Sequence, residues 1–93
     1  MLFKVGKVVI TSGANELAKQ NYLFAKFVNK SFDRHCNGDW GDLCDEDKEL
    51  NESALKNGDD RLFSKYIFDN ETSIYIITEW DRSVSTILFP SEY

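Results

Sequence analysis

Three side chains that could do proton chemistry stand close together in this chain: His35, Asp39 and Asp42. A histidine near two carboxylates is the raw material of a general base or of a hard-cation site. Their spacing matches no metal motif. The plainer reading makes His35 a helix-end residue whose charge suits the C-terminal dipole, followed by a loop and by Asp42 as the N-cap of the next helix. Asp45, Glu46 and Asp47 form an acidic run without the alternating ligands and central glycine of a calcium loop, so a solvated acidic face is expected. Asp47 and Asn51 lie one turn apart on one helix edge, where they can fasten the helix to a strand or loop by hydrogen bonds. Glu79, Asp81, Arg82 and Ser83 cluster between two strand-like runs. There an aspartate bonds its own turn and an arginine reaches a neighbouring carboxylate, and a partner-binding hairpin is the sharper alternative. Trp40 and Trp80, each flanked by acids, suit core, rim or binding hot spot equally.

The usual catalytic signatures are missing: there is no phosphate-cradling glycine loop, no Gly-x-Ser-x-Gly, no Cys/His dyad and no His-x-x-x-His. Two cysteines, Cys36 and Cys44, with a single histidine are too few for a Cys/His zinc site. No cofactor or metal is expected. With no secretory signal the thiols are expected to be reduced, in a cytoplasmic protein, and no apolar run is long enough to cross a bilayer.

Charge is unevenly spread. Residues 1–38 carry six bases and two acids, residues 39–60 nine acids and two bases, and residues 61–93 five acids and three bases, within a net charge of −5. An acidic middle repels phosphate, which argues against direct nucleic-acid binding, and its natural complement is a basic protein surface.

The elements that must position these residues follow from periodicity. Leu2 to Ile10 suits a first strand, with Gly6 as a bulge. Ala14 to Gln20 forms a short helix that breaks at Asn21. Phe24, Phe27, Val28 and Phe32 recur at helical spacing between Tyr22 and His35. A third helix runs from about Leu43 to Lys56 and ends at Asn57-Gly58, with Leu43, Leu50, Ala54 and Leu55 as its buried stripe and Asp45, Glu46, Glu49 and Glu52 on the solvated side. Arg61–Phe68, Ser73–Trp80 and Val84–Phe89 read as an antiparallel meander. The expectation is one α+β domain over residues 1–93: a mostly antiparallel sheet of about four strands, with two to three helices inserted after the first.

Several motifs together resemble a family of small proteins carried on bacterial plasmids, prophages and genomic islands, often labelled plasmid-related. They are Gly38-Asp39-Trp40-Gly41-Asp42-Leu43, then Asp47, Asn51, Ala54-Leu55 and Gly58, then Ile76-Ile77-Thr78-Glu79, Asp81-Arg82-Ser83, Thr86 and Pro90-Ser91-Glu92-Tyr93. Val8-Val9 and Thr11 to Ala14 resemble its opening strand and turn. The chain departs at Ser12, where the family pattern has proline, and at Trp80, where it has a small residue. The resemblance implies a mobile-element setting, in which small acidic proteins often inhibit host defence, anti-CRISPR and anti-restriction proteins among them.

The leading expectation is a non-enzymatic binding protein that meets a basic protein surface, with a nuclease complex as one candidate, through Asp39, Trp40, Asp42, Asp45, Glu46, Glu49, Glu52, Trp80, Asp81 and Arg82. The enzyme alternative gathers His35, Asp39, Asp42, Asp81 and Arg82 into one polar site at an end of the sheet. A third reading is a module that self-associates through a sheet edge.

Overall fold

The computed structural model describes all residues, 1–93. Strand β1 (Lys7–Ile10) is followed by helices α1 (Ser12–Gln20), α2 (Tyr22–Cys36) and α3 (Asp45–Asn57). Strands β2 (Leu62–Ile67), β3 (Ser73–Thr78) and β4 (Val84–Leu88) come next, and a 3-10 turn closes at Pro90–Glu92. The sheet order is β1-β4-β3-β2. The meander β2-β3-β4 is antiparallel and β1 joins β4 in parallel. The α+β class and the helices after the first strand are as the sequence predicts, in a sheet that is mixed at one edge.

Local chemistry explains most boundaries. Asn21 ends α1 and caps α2, its Oδ1 accepting from the Phe24 amide at 3.1 Å. Gly58, at φ +69°, closes α3 and returns its amide to the Ala54 carbonyl. The first strand is shorter than the expected Leu2–Ile10. Gly6 turns the chain at φ +64° against the β3–β4 hairpin, where a Cβ would lie 2.1 Å from the Ser83 carbonyl oxygen. It stands just ahead of β1 and not within the strand as a bulge, and only glycine fits it.

Helices α1 and α2 cover one face of the sheet. Phe24 and Val28 pack on Tyr66, Ile74, Ile76 and Ile87, with Phe27, Phe32, Phe68 and Phe89 around them. Burying one such side chain contributes about 1.5–3 kcal/mol. A second, smaller cluster joins Trp40, Ala54 and Leu62 where α3 meets the β2 edge. The expected stripe of α3 is corrected there: Leu50 is exposed, and Asn51 takes the inward position with Ala54. No helix is long and apolar enough to cross a membrane.

Candidate functional site

His35 stands in the last turn of α2, as expected, but faces the core and not solvent. It is fully buried, with Nδ1 2.6 Å from Ser64 Oγ and Nε2 2.9 Å from Thr78 Oγ1. The chain of bonds fixes the protons. Ser85 Oγ donates to the Val5 carbonyl at 2.7 Å, so its lone pair receives the Thr78 hydroxyl. Thr78 Oγ1 in turn accepts from His35 Nε2–H, and Ser64 donates to Nδ1. A neutral imidazole satisfies every member, and burial pulls its pKa down to about 4. His35 is thus a core residue linking α2 directly to β2 and β3, and through Thr78 to Ser85 of β4. Neither ring nitrogen is free for proton transfer, which removes it from the proposed polar site.

The Gly38–Leu43 motif proves to be a cover for an open sheet edge. β2 is an outer strand, and its amides and carbonyls at Phe63, Lys65 and Ile67 face away from β3. The side-chain amide of Asn51 takes both Phe63 groups, donating to the carbonyl at 2.6 Å and accepting from the amide at 3.0 Å. Lys65 N–H donates to the Trp40 carbonyl, and the Lys65 carbonyl accepts from the Asp42 amide at 2.7 Å. The Ile67 amide donates to Asp42 Oδ2 at 3.1 Å. An unpaired edge invites aggregation, and here it is closed by one loop and one asparagine. Gly41 must be glycine: at φ +77° it crosses Lys65 so closely that a Cβ would lie 2.0 Å from its carbonyl oxygen.

Three expected site residues are therefore structural. Asp42 serves the Ile67 amide instead of capping α3, whose N-cap, Cys44, makes no side-chain bond. Trp40, offered above as a partner contact, is buried between Phe3 and the His35 ring. Its Nε1 is the one buried side-chain polar atom without a hydrogen-bond partner. Asp39 pairs with Arg34 at 2.7 Å, a contact that lowers the carboxyl pKa, and Tyr66 donates its hydroxyl to the Asp39 carbonyl. Of the expected pair on α3, Asn51 is the fastener and Asp47 stays exposed.

The β3–β4 hairpin divides in the same way. Asp81 accepts from the Ser83 amide and hydroxyl, the expected self-bonded turn. Arg82 was expected to reach a carboxylate. It instead donates to the carbonyls of Asp60, Glu79, Trp80 and Ala54, bracing the last turn of α3. Its own backbone stands at φ +61°. Trp80 remains 63 % exposed at the hairpin tip.

Of the charged residues expected to meet a partner, those left free of bonds within the chain are acidic. Asp45, Glu46, Asp47, Glu49 and Glu52 are all exposed on α3, and the single ion pair of the molecule is Arg34–Asp39. Asp59, Asp60, Glu79 and Asp81 are exposed around Trp80 and the end of α3. The enzyme constellation is dispersed: His35 lies inside the core, Asp39 and Asp42 sit along the β2 edge, Asp81 bonds within the hairpin turn, and Arg82 ties the hairpin to α3. No three His, Cys, Asp or Glu side chains come together in a way that could hold a metal ion. Cys36 is buried, Cys44 is exposed, and both are free.

One cleft escaped the sequence reading. It lies between α3 and the sheet face opposite Leu62, Ser64 and Tyr66, encloses about 330 Å³, and is walled by Phe63, Tyr75 and Tyr93 with Leu43 and Leu50 across from them. The available signal was the strand alternation that puts Phe63 and Tyr75 on the outward side. A second depression, near Leu17, Thr72 and Phe89, holds Glu71 as its only titratable group. Comparison of the chain with protein-family models, with curated proteins and with solved structures finds no match.

Proposed function

We propose that this protein is a non-enzymatic binding protein that engages a basic protein surface through α3 and the adjoining Trp80 hairpin. One observation carries the reading. The polar residues that looked catalytic are each held by hydrogen bonds within the chain, whereas five acids along α3 are exposed without any basic partner. Unpaired like charges on one helix repel one another, and a cationic partner relieves that cost while steering association. Trp80 adds a large exposed ring beside this field, the kind of side chain that anchors interfaces. Against the expected contact set, Trp40, Asp42 and Arg82 drop out; Asp45, Glu46, Glu49, Glu52, Trp80 and Asp81 remain, with Asp39 at the margin in its pair with Arg34.

The mobile-element resemblance narrows the partner to a nucleic-acid-handling host complex, such as a defence nuclease whose basic channel the acidic helix would occupy. The test is a pull-down from bacterial extract with wild type and the triple reversal Glu46→Lys, Glu49→Lys, Glu52→Lys. A basic partner retained by wild type and lost by the variant is expected; equal retention by both defeats the reading.

A second reading, self-association, has its own observation. Lys7 donates to the Ser83 carbonyl just before β4 and Thr11 to the Ile87 carbonyl within it, so the amides of Val8 and Ile10 face outward on the open β1 edge, and Val8 is exposed. A concentration-independent monomer mass in light scattering would dispose of it.

A further inference from the structure

The cleft beside α3 has the chemistry to grip one basic side chain, an inference that rests on the basic-partner reading and names the residues that would hold it. Phe63, Tyr75 and Tyr93 form a three-ring corner, with centroids 4.7, 5.9 and 6.2 Å apart and planes inclined by 54 to 87°. Ring faces carry negative potential and attract cations. Two carboxylates, Asp47 and Asp60, stand at the same cleft, both exposed and neither in an ion pair. The Asn51 side chain is occupied by the β2 backbone and offers nothing to a ligand.

A guanidinium already sits there. Arg61 lies 5.5 Å from the ring centres of both Phe63 and Tyr93 and donates to the Tyr93 hydroxyl. No carboxylate pairs with it, so the rings rather than an acid hold it in place. With two carboxylates against one arginine, the cleft still favours a further cation over an anion.

We propose that this cleft binds an arginine side chain of the partner, and that Arg61 is a built-in occupant which the incoming guanidinium displaces from the faces of Phe63 and Tyr93. The proposal has an unusual sign: removing Arg61, a cation on a binding surface, strengthens the binding of a cation. An anionic ligand would need Arg61 and would be weakened by its loss.

Two probes separate this inference from the reading beneath it: N-acetyl-arginine methylamide, followed by NMR shifts of Tyr75 and Tyr93, and a hexa-arginine peptide, followed by calorimetry at low salt. The variants are Arg61→Ala, Tyr93→Ala and Asp47→Asn/Asp60→Asn, all at exposed side chains, with folding verified by their spectra. The single-arginine probe is expected to shift Tyr75 and Tyr93 in wild type. Tyr93→Ala and the double Asn variant are expected to weaken it, and Arg61→Ala to strengthen it, each by about three- to tenfold. Weaker binding in Arg61→Ala, or shifts confined to other surfaces, overturns the inference. A hexa-arginine peptide that depends on Glu46, Glu49 and Glu52 but ignores the cleft variants overturns it while leaving the acidic-helix reading intact. If hexa-arginine does not bind at all, both fall.

Discussion

Protonation of His35 should erode the stability of this protein at pH values above the ordinary carboxylate range. A proton added to the imidazole must sit on Nδ1, which already accepts from Ser64, within a core position of zero exposure. The folded pKa is about 4 against an ordinary 6.5. Because the folded value is the lower one, the unfolded chain binds the proton first as the pH falls. Stability is therefore complete above about pH 6.5 and erodes down to about pH 4. At 1.36 kcal/mol per unit, the loss is about 2 kcal/mol by pH 5 and about 3 kcal/mol at the bottom of the window. Asp39, Asp81 and Glu92, whose pKa values are lowered, lose their contributions only as the pH falls below their ordinary range near 4. The assay is urea unfolding of wild type and His35→Gln at pH 7, 6 and 5, with the His35 ring followed by NMR. Wild type should lose about 2 kcal/mol more than the variant across that range. Equal slopes, or a ring that titrates near 6.5 in the folded protein, would refute the assignment of a neutral, doubly bonded imidazole.

Other outcomes test the edge cover and the hairpin brace. Asn51→Leu should cost about 2–4 kcal/mol, since two backbone groups of Phe63 lose their partner, and hydrogen exchange at the Phe63 amide should accelerate with it. Gly41→Ala should destabilise by at least about 2 kcal/mol in thermal melts, because its Cβ would press on the Lys65 carbonyl and the Tyr66 ring at a positive φ. Arg82→Ala should loosen the end of α3, seen as faster amide exchange around Ala54 and Gly58, while Arg82→Gly should recover part of the lost stability by accepting φ +61° without strain.

Much of this fold is written in local chemistry. The Phe24–Phe32 spacing, Asn21 as a cap, Gly58 as a stop and Asp81 as a turn each act within a few residues, and each stands where its type predicts. Asp42 misleads for the opposite reason. A carboxylate three residues before Asp45 could cap α3, but the edge amide of Ile67, 25 residues away, holds it instead. The burial of His35 did leave a trace: Phe24, Val28, Ser31 and His35 follow one helical stripe, and their neighbours in the core include three hydroxyls at inward strand positions. The aromatic cleft was half legible. Alternation puts Phe63 and Tyr75 on one face, but their nearness depends on the Lys65–Tyr75 register, and Tyr93 arrives from a distant segment. The motifs Gly38–Leu43, Asp81-Arg82-Ser83 and Pro90–Tyr93 form an edge cover, a helix brace and a clasp in which Glu92 accepts from the Thr11 hydroxyl at 2.6 Å. They specify the scaffold, and the acids of α3 are what the scaffold displays.

Whether those acids meet a basic protein surface is decided by paired pull-downs from bacterial extract. Wild type, the Glu46/Glu49/Glu52 lysine reversal and Trp80→Ala should be compared side by side at low and at raised salt. The account predicts a basic partner that wild type retains, that the reversal loses outright, that Trp80→Ala holds more weakly and that salt releases. Recovery of the same proteins by wild type and the reversal, insensitive to salt, would contradict it.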